Sequence, residues 1–226
     1  MTLEKRIKEE YLQVKNKFQN LGSPKKEKYG YSINGRLDLI DPFNSKLWES
    51  YQIRIDIPYE YPVRVPTTYE LSKKIDRNDD NHIDSNGKCC LAPRLEELLI
   101  LGKDYTLVDY IDKLVMPFLA SHKLKQLGEN KGIGEYSHFG SGLIEYYKEK
   151  FQTPDIKSIL ESLHILSNIK QNKRNEKCFC GSGKKYKRCH LKTFYDYQII
   201  DRKIFLEDLR DIEKTLEKES KSLNKS

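Results

Sequence analysis

The sequence has no apolar run approaching the roughly 18 residues that a membrane-spanning helix needs, which excludes a helical span. Its first residues, MTLEKRIKEEYLQ, contain no apolar h-region, so a secretory signal is not expected. No internal repeat is evident, and no GxGxxG-type loop or adenylation signature offers a nucleotide a cradle. Together these absences predict a cytoplasmic protein without a membrane partner. Cysteine is scarce and odd in number, at five, and falls in two tight groups, Cys89-Cys90 and Cys178, Cys180 and Cys189. In a reducing compartment such groups point to metal ligands or nucleophiles rather than disulfides. What remains is ample for a core: 226 residues, 37% hydrophobic and 11% aromatic. A charged fraction of 33% and a mean hydropathy of -0.76 describe a soluble chain. The length fits one medium domain with an appendage, or two small domains.

Acidic residues are nearly missing from one window. Between Lys170 and Lys192 there are nine lysines and arginines against Glu176 alone. That window carries +8 of a whole-chain +7, leaving −1 for everything else. The chain is therefore not generally basic. A short patch of this kind steers toward nucleic acid or an acidic protein surface, or it is simply the solvated face of a small module.

Along the chain, Leu3, Ile7, Tyr11, Val14 and Phe18 recur at helical spacing and predict an N-terminal amphipathic helix ended by Leu21-Gly22-Ser23-Pro24. Tyr29, Tyr31 and Ile33 alternate ahead of Asn34-Gly35, which predicts a hairpin turn there. Tyr51, Ile53, Ile55 and Ile57 alternate with polar residues, as in a half-buried strand. Pro58, Pro62 and Pro66 take the chain out of the sheet or along its edge, and Thr67 to Ile75 reads as one more strand. A polar loop follows, IDRNDDNHIDSNGKCCLAP at 75–93, and then a helical stripe through Leu107, Ile111, Leu114, Val115 and Leu119. Glycines from Gly128 to Gly142 make the next stretch irregular before Leu143 to Phe151 turns helical. Thr153-Pro154 marks a boundary, a connector helix runs from Ile156 to Ile169, and a last helix carries Phe205, Leu209, Ile212 and Leu216, its end KESKSLNKS fraying. The expected class is α+β with a small appendage: a domain at 1–152, a helical connector at 153–176, a cysteine module at 177–192, and a C-terminal helix with its tail at 193–226.

Residues 177–190 read KCFCGSGKKYKRCH, spaced Cys-x-Cys, eight residues, Cys-His. Three thiolates and an imidazole make a closed tetrahedral set suited to structural Zn²⁺, and with all four positions filled by protein a catalytic zinc is disfavoured. Gly181 and Gly183 let the backbone fold back so that Cys189 and His190 reach Cys178 and Cys180. The neighbouring cations help hold the thiols deprotonated. This stretch closely resembles the SEC-C motif, the zinc-binding tail first known from the SecA translocase, typically Cys-Pro-Cys-Gly-Ser-Gly-Lys-Lys-Tyr-Lys-x-Cys-His. Phe179 stands where that motif usually has proline. The resemblance implies zinc on Cys178, Cys180, Cys189 and His190, and it identifies a docking part rather than an activity.

The central loop puts His82, several carboxylates, the Asn86-Gly87 turn and two cysteines within a few residues. The turn can fold His82 and Asp84 back toward the thiols, while Lys88 and Arg94 are near enough in sequence to lower a thiol pKa. The bland alternative is a buried cysteine pair beside a solvated loop. The run IPYEYPVRVP…NHIDSNGKCCL resembles ubiquitin-conjugating enzymes, in which a strand, a Tyr-Pro-x-x-Pro-Pro segment, a His-Pro-Asn motif, Asn-Gly and the catalytic Cys-Leu follow one another. Tyr61-Pro62 and Pro66, His82, Asn86-Gly87 and Cys90-Leu91 match these in turn. GIGEYSHFGSGLIEYYKEKF, at 132–151, looks like the closing segment of bacterial conjugating-like proteins encoded in anti-phage CBASS systems beside a cyclic-nucleotide synthase. Within it His138 is a candidate second functional histidine.

The resemblance implies a ubiquitin-conjugating-like fold and a cysteine-dependent transferase. Cys90 would take an activated protein C-terminus as a thioester and pass it to an amine, a lysine of a target protein. The cargo would be a ubiquitin-like protein or the cyclic-nucleotide synthase, loaded by a separate activating enzyme or itself preactivated. His82 would shape the loop or help orient the attacking group. The family's asparagine stabilises the oxyanion; here that place reads His82-Ile83-Asp84, and Asp84 is a poor donor at neutral pH. Cys89 sits where the family has an apolar residue. The competing expectation is a conjugating-type fold without chemistry, serving as a protein- or nucleic-acid-binding module with a zinc docking tail, the basic window Lys170–Lys192 being the nucleic-acid candidate.

Overall fold

A computed structural model describes residues 2–41, 43–128, 139–168 and 174–223. The class is α+β, and the chain divides into two compact units, one of residues 1–92 with 100–134, the other of 93–99 with 135–226. The helix at the end of the expected 1–152 domain falls in the second of these.

In the first unit, helix α1 (Leu3–Lys17) is capped by Thr2, whose hydroxyl accepts from Lys5 N. Its apolar stripe buries Ile7 and Val14 as the spacing requires. The buried Glu10 carboxylate accepts from Arg6 Nε at 2.6 Å, Tyr61 Oη at 2.6 Å and Leu107 N at 2.8 Å, so the charge enters the core fully partnered. Four antiparallel strands follow in spatial order β1 (Lys25–Glu27), β2 (Gly30–Ile40), β3 (Leu47–Pro58), β4 (Thr67–Glu70). Register pairs Ile33 with Ile55 and Leu37 with Tyr51, which puts the apolar set of β2 and β3 on one face. The core is closed by α3 (Leu107–Tyr110), a π-helical turn (Ile111–Val115) and α4 (Met116–Gln126), carrying the expected stripe of Leu107, Ile111, Val115 and Leu119.

Two sequence expectations fail here for visible reasons. Asn34-Gly35 is no turn; it lies inside β2, and the hairpin turns earlier, between Glu27 and Gly30. Gly35 is there for close approach, because a Cβ would stand 2.3 Å from Asn20 O where Leu21 bridges the strand. The strand expected over Thr67 to Ile75 stops at Glu70. The buried Glu70 carboxylate takes the Ser72 hydroxyl and Lys73 N, the latter at 2.9 Å, and turns the chain, with Lys73 at φ 55°.

The second unit is helical: α5 (Phe139–Phe151), α6 (Ile156–Asn168), α7 (Leu191–Tyr197) and α8 (Arg202–Leu223), with residues 94–99 of α2 (Arg94–Leu101). Helix α2 was not expected from the sequence, the C-terminal helix expected within 193–226 is divided into α7 and α8, and α8 continues to Leu223 through residues expected to fray. Tyr147, Phe151, Leu163, Phe205 and Ile212 are buried. Arg94 faces three carboxylates of α8: Glu207 at 3.1 Å, Asp208 at 3.5 Å and Asp211. Burial pushes the Asp208 carboxyl up to about 6 against the pull of Arg94 and of the Tyr147 hydroxyl, which donates to it at 2.8 Å. Among the described residues, no helix is long and apolar enough to cross a membrane.

Candidate functional sites

The C-terminal ligands converge. Cys178, Cys180, Cys189 and His190 bring their ligand atoms within 4.8 Å of one another. Cys180 Sγ lies 3.5 Å from Cys189 Sγ, and His190 Nδ1 lies 3.4 Å from Cys178 Sγ and 3.2 Å from Cys189 Sγ. A tetrahedral ion with metal–sulfur bonds of about 2.3 Å separates its sulfurs by roughly 3.8 Å, so these residues fit a metal ion.

Local structure builds this site. Lys177 bridges Lys185, Cys178 N donates to Lys184 O at 2.8 Å, and Gly181 and Gly183 turn the loop at φ 72° and 71°, a region that penalises any Cβ. A 3₁₀ turn (Tyr186–Arg188) then delivers Cys189, and His190 leads into α7. Ser182 Oγ stands 3.2 Å from Cys180 Sγ and 3.4 Å from Cys189 Sγ, a polar contact to two ligands that the sequence reading missed. Burial holds the Cys178 thiol at about 12 and pulls the His190 imidazole below its usual range. The histidine is thus kept in its ligating neutral form, while Cys178 must lose its proton to solvent when a metal ion binds.

Phe179, 2% exposed, seats the knuckle in its own unit. Its ring meets Phe151 at 5.1 Å and His190 at 5.4 Å, and its carbonyl accepts from Ser162 Oγ at 3.1 Å. Arg174, Lys177, Lys184, Lys185, Lys187, Arg188 and Lys192 of the basic window are exposed around the cluster; Lys170 and Lys173 lie outside the described residues.

The central loop forms a small hairpin against the sheet edge. Lys88 bridges Tyr69, Glu70 N donates to Gly87 O at 2.8 Å and Cys89 N to Thr68 O at 2.9 Å. Cys89 faces inward, 5% exposed, and burial pushes its thiol up to about 12. Cys90 faces solvent, and its N–H donates to His82 O at 2.8 Å. The Asn86-Gly87 turn forms as expected, with Gly87 at φ 87° where a Cβ would stand 2.4 Å from Glu70 O.

Asp84 Oδ1 accepts from Asn86 N at 2.8 Å and from Lys88 N at 2.9 Å. Its carboxylate shapes the turn as an Asx cap rather than offering a proton. His82 contributes its carbonyl, from a backbone at φ 52°. Arg94 turns its guanidinium to the carboxylates of α8. His138 lies outside the described residues.

The SEC-C motif matches residues 174–192. No curated protein and no solved structure matches the chain.

Proposed function

We propose that this chain is a ubiquitin-conjugating-like transferase whose nucleophile is Cys90. The observation that carries the reading is the split within the cysteine pair: Cys89 is buried with its thiol held up at about 12, while Cys90 is exposed on a backbone pinned to the His82 carbonyl. The element order also supports it, since a helix, a four-strand antiparallel meander, a cysteine loop and helices follow in the sequence that the resemblance implies.

In this reading the Cys90 thiolate attacks the activated carbonyl of a protein C-terminus and expels the thiolate of a separate activating enzyme. A target lysine amine then attacks the thioester, the Cys90 thiolate leaves, and the amine gives up its proton to solvent. Holding thioester and amine together supplies most of the rate, because a thioester is already a good acyl donor. Asp84 shapes the turn through its two accepted N–H bonds, and His82 frames the loop. The setting proposed is CBASS-type anti-phage defence, with a ubiquitin-like protein or the cyclic-nucleotide synthase as cargo.

The ion of the knuckle is proposed to be Zn²⁺, which suits three thiolates and an imidazole and supplies a cross-link rather than chemistry.

The test is coexpression with the genomic neighbours, comparing reducing and non-reducing gels for wild type and Cys90→Ala. A reducible higher-mass band that Cys90→Ala removes is expected, and mass spectrometry of it names the cargo. Its absence from wild type overturns the transferase reading in favour of a binding module. One observation favours that second reading: Asp84 is an acceptor where the family pattern has a donor. A module that binds nucleic acid through the exposed cations near the knuckle shifts a nucleic-acid probe, steeply less so at higher salt.

A further inference from the structure

Arg77 has no part in the chemistry above, yet it grips the cysteine loop. Half-buried, it donates from Nη1 to Ser85 O at 2.9 Å and from Nη2 to Glu70 O at 3.4 Å. The first carbonyl sits at the Asn86-Gly87 turn and the second at the end of β4, so one planar fork holds both partners of a strand pairing. Arg77 forms no ion pair among the described residues, and its Nε is buried without a hydrogen-bond partner among them. A cation placed so is costly, and no carboxylate accounts for it. What the position gains is the two carbonyls. Gly87 makes room for the grip, since a Cβ there would stand 2.9 Å from Arg77 Nη2.

We propose that Arg77 is a positioning residue for Cys90, a clamp that fixes the register of residues 87–90 along β4. Register decides which thiol reaches solvent. Successive side chains of extended backbone point to opposite faces, so a slip of one residue would turn Cys90 inward and Cys89 outward. The pairing to be held is short: Glu70 N to Gly87 O at 2.8 Å, the Tyr69–Lys88 bridge, and Cys89 N to Thr68 O at 2.9 Å. A ladder of this length, opening on a glycine, specifies its register weakly by itself. The Arg77 fork spans a carbonyl on each side of it. A one-residue slip of about 3.3 Å would carry Ser85 O away from Glu70 O and break one of the two bonds. The loop's other arm is held separately, with Cys90 N on His82 O at 2.8 Å and Lys125 of α4 reaching Asn81 Oδ1 at 3.0 Å.

The inference rests on the reading of Cys90 as the reacting thiol, yet its test needs no thioester. The full chain is alkylated with iodoacetamide, and tandem mass spectrometry resolves Cys90 from Cys89 labelling in wild type, Arg77→Met and Arg77→Lys. Arg77→Met keeps the apolar stem and loses the fork; the Cys90-to-Cys89 labelling ratio is expected to fall about two- to tenfold, the range one hydrogen bond commands. The amides of Glu70 and Cys89, which close the pairing, should lose exchange protection, while those pairing β2 with β3 keep theirs. Arg77→Lys retains the charge without the fork and should lower the ratio in the same direction and by less. A wild-type ratio in folded Arg77→Met overturns the proposal. So does a wild-type ratio in Arg77→Lys, which would mean that charge alone suffices, or a protection loss spread evenly over β2 and β3. If Arg77→Met does not fold, Arg77→Lys decides by the same reading. A ratio that depends on Arg77, with no reducible band on coexpression, removes the transferase reading alone.

Discussion

The two cysteine sites of this chain use the same side chain in opposite ways. At 178–190 three thiols and an imidazole turn inward on one another, within 4.8 Å, and the loop around them is organised by its own glycines and short backbone bonds. At 89–90 adjacent thiols are driven apart by strand-like alternation, one into the core and one into solvent. Convergence makes a cross-link, whose worth is structural. Divergence makes one buried thiol and one accessible thiol. The difference is set less by the cysteines than by what pins the backbone: a self-contained knuckle in one case, the β4 edge and the contact of Lys125 with Asn81 in the other.

The contrast breaks first at the ion. Stripping the metal with a chelator, or Cys178→Ser, is expected to have the largest effect, since structural zinc in small modules contributes on the order of 10 kcal/mol of apparent binding. Phe179 carries the loss into the helices through Phe151 and Ser162, so the helical circular-dichroism signal and the unfolding midpoint should both fall. Metal affinity should strengthen with rising pH, because Cys178 without a cation holds its proton to about 12 and binding must expel it. Competition titrations at two pH values check the sign; an affinity independent of pH would mean that the thiols are not ligands. Next in size is Phe179→Ala. Emptying a buried aromatic site costs about 3–5 kcal/mol, read as a shift in the denaturant midpoint. A surface-like cost would show the knuckle to be a pendant rather than part of its unit.

The same contrast explains what could be read from the sequence. The four ligands lie within thirteen residues, so their spacing carried nearly the whole site, and only Ser182 needed coordinates. The α+β class, the α1 stripe and the β3 alternation were equally local and legible. Asn34-Gly35 misled because a glycine needed for the approach of Asn20 and Leu21, distant in neither sequence nor space, looks identical to a turn glycine. The end of β4 at Glu70 depends on a buried carboxylate capping its own next turn, which no periodicity signals. At the central loop, the motif pointed to Cys90 but not to its support. Lys125, at the end of α4, reaches Asn81 Oδ1 at 3.0 Å across 44 residues, a contact visible only in the fold.

The finest form of the comparison sets the two neighbours of the central pair against each other. Cys89→Ser should cost about 1–3 kcal/mol, because the hydroxyl brings a polar group into a place that the thiol fills as a small hydrophobe. Cys90→Ser exchanges one exposed atom for another and should leave stability within about 0.5 kcal/mol of wild type. Urea melts of the two variants measure both. Equal costs at 89 and 90 would mean that the alternation does not hold in solution, and with it would go the selection of Cys90 as the offered thiol. A large cost at 89 beside none at 90 would show that the fold spends nothing on Cys90, so that what keeps a cysteine at that position is its reactivity.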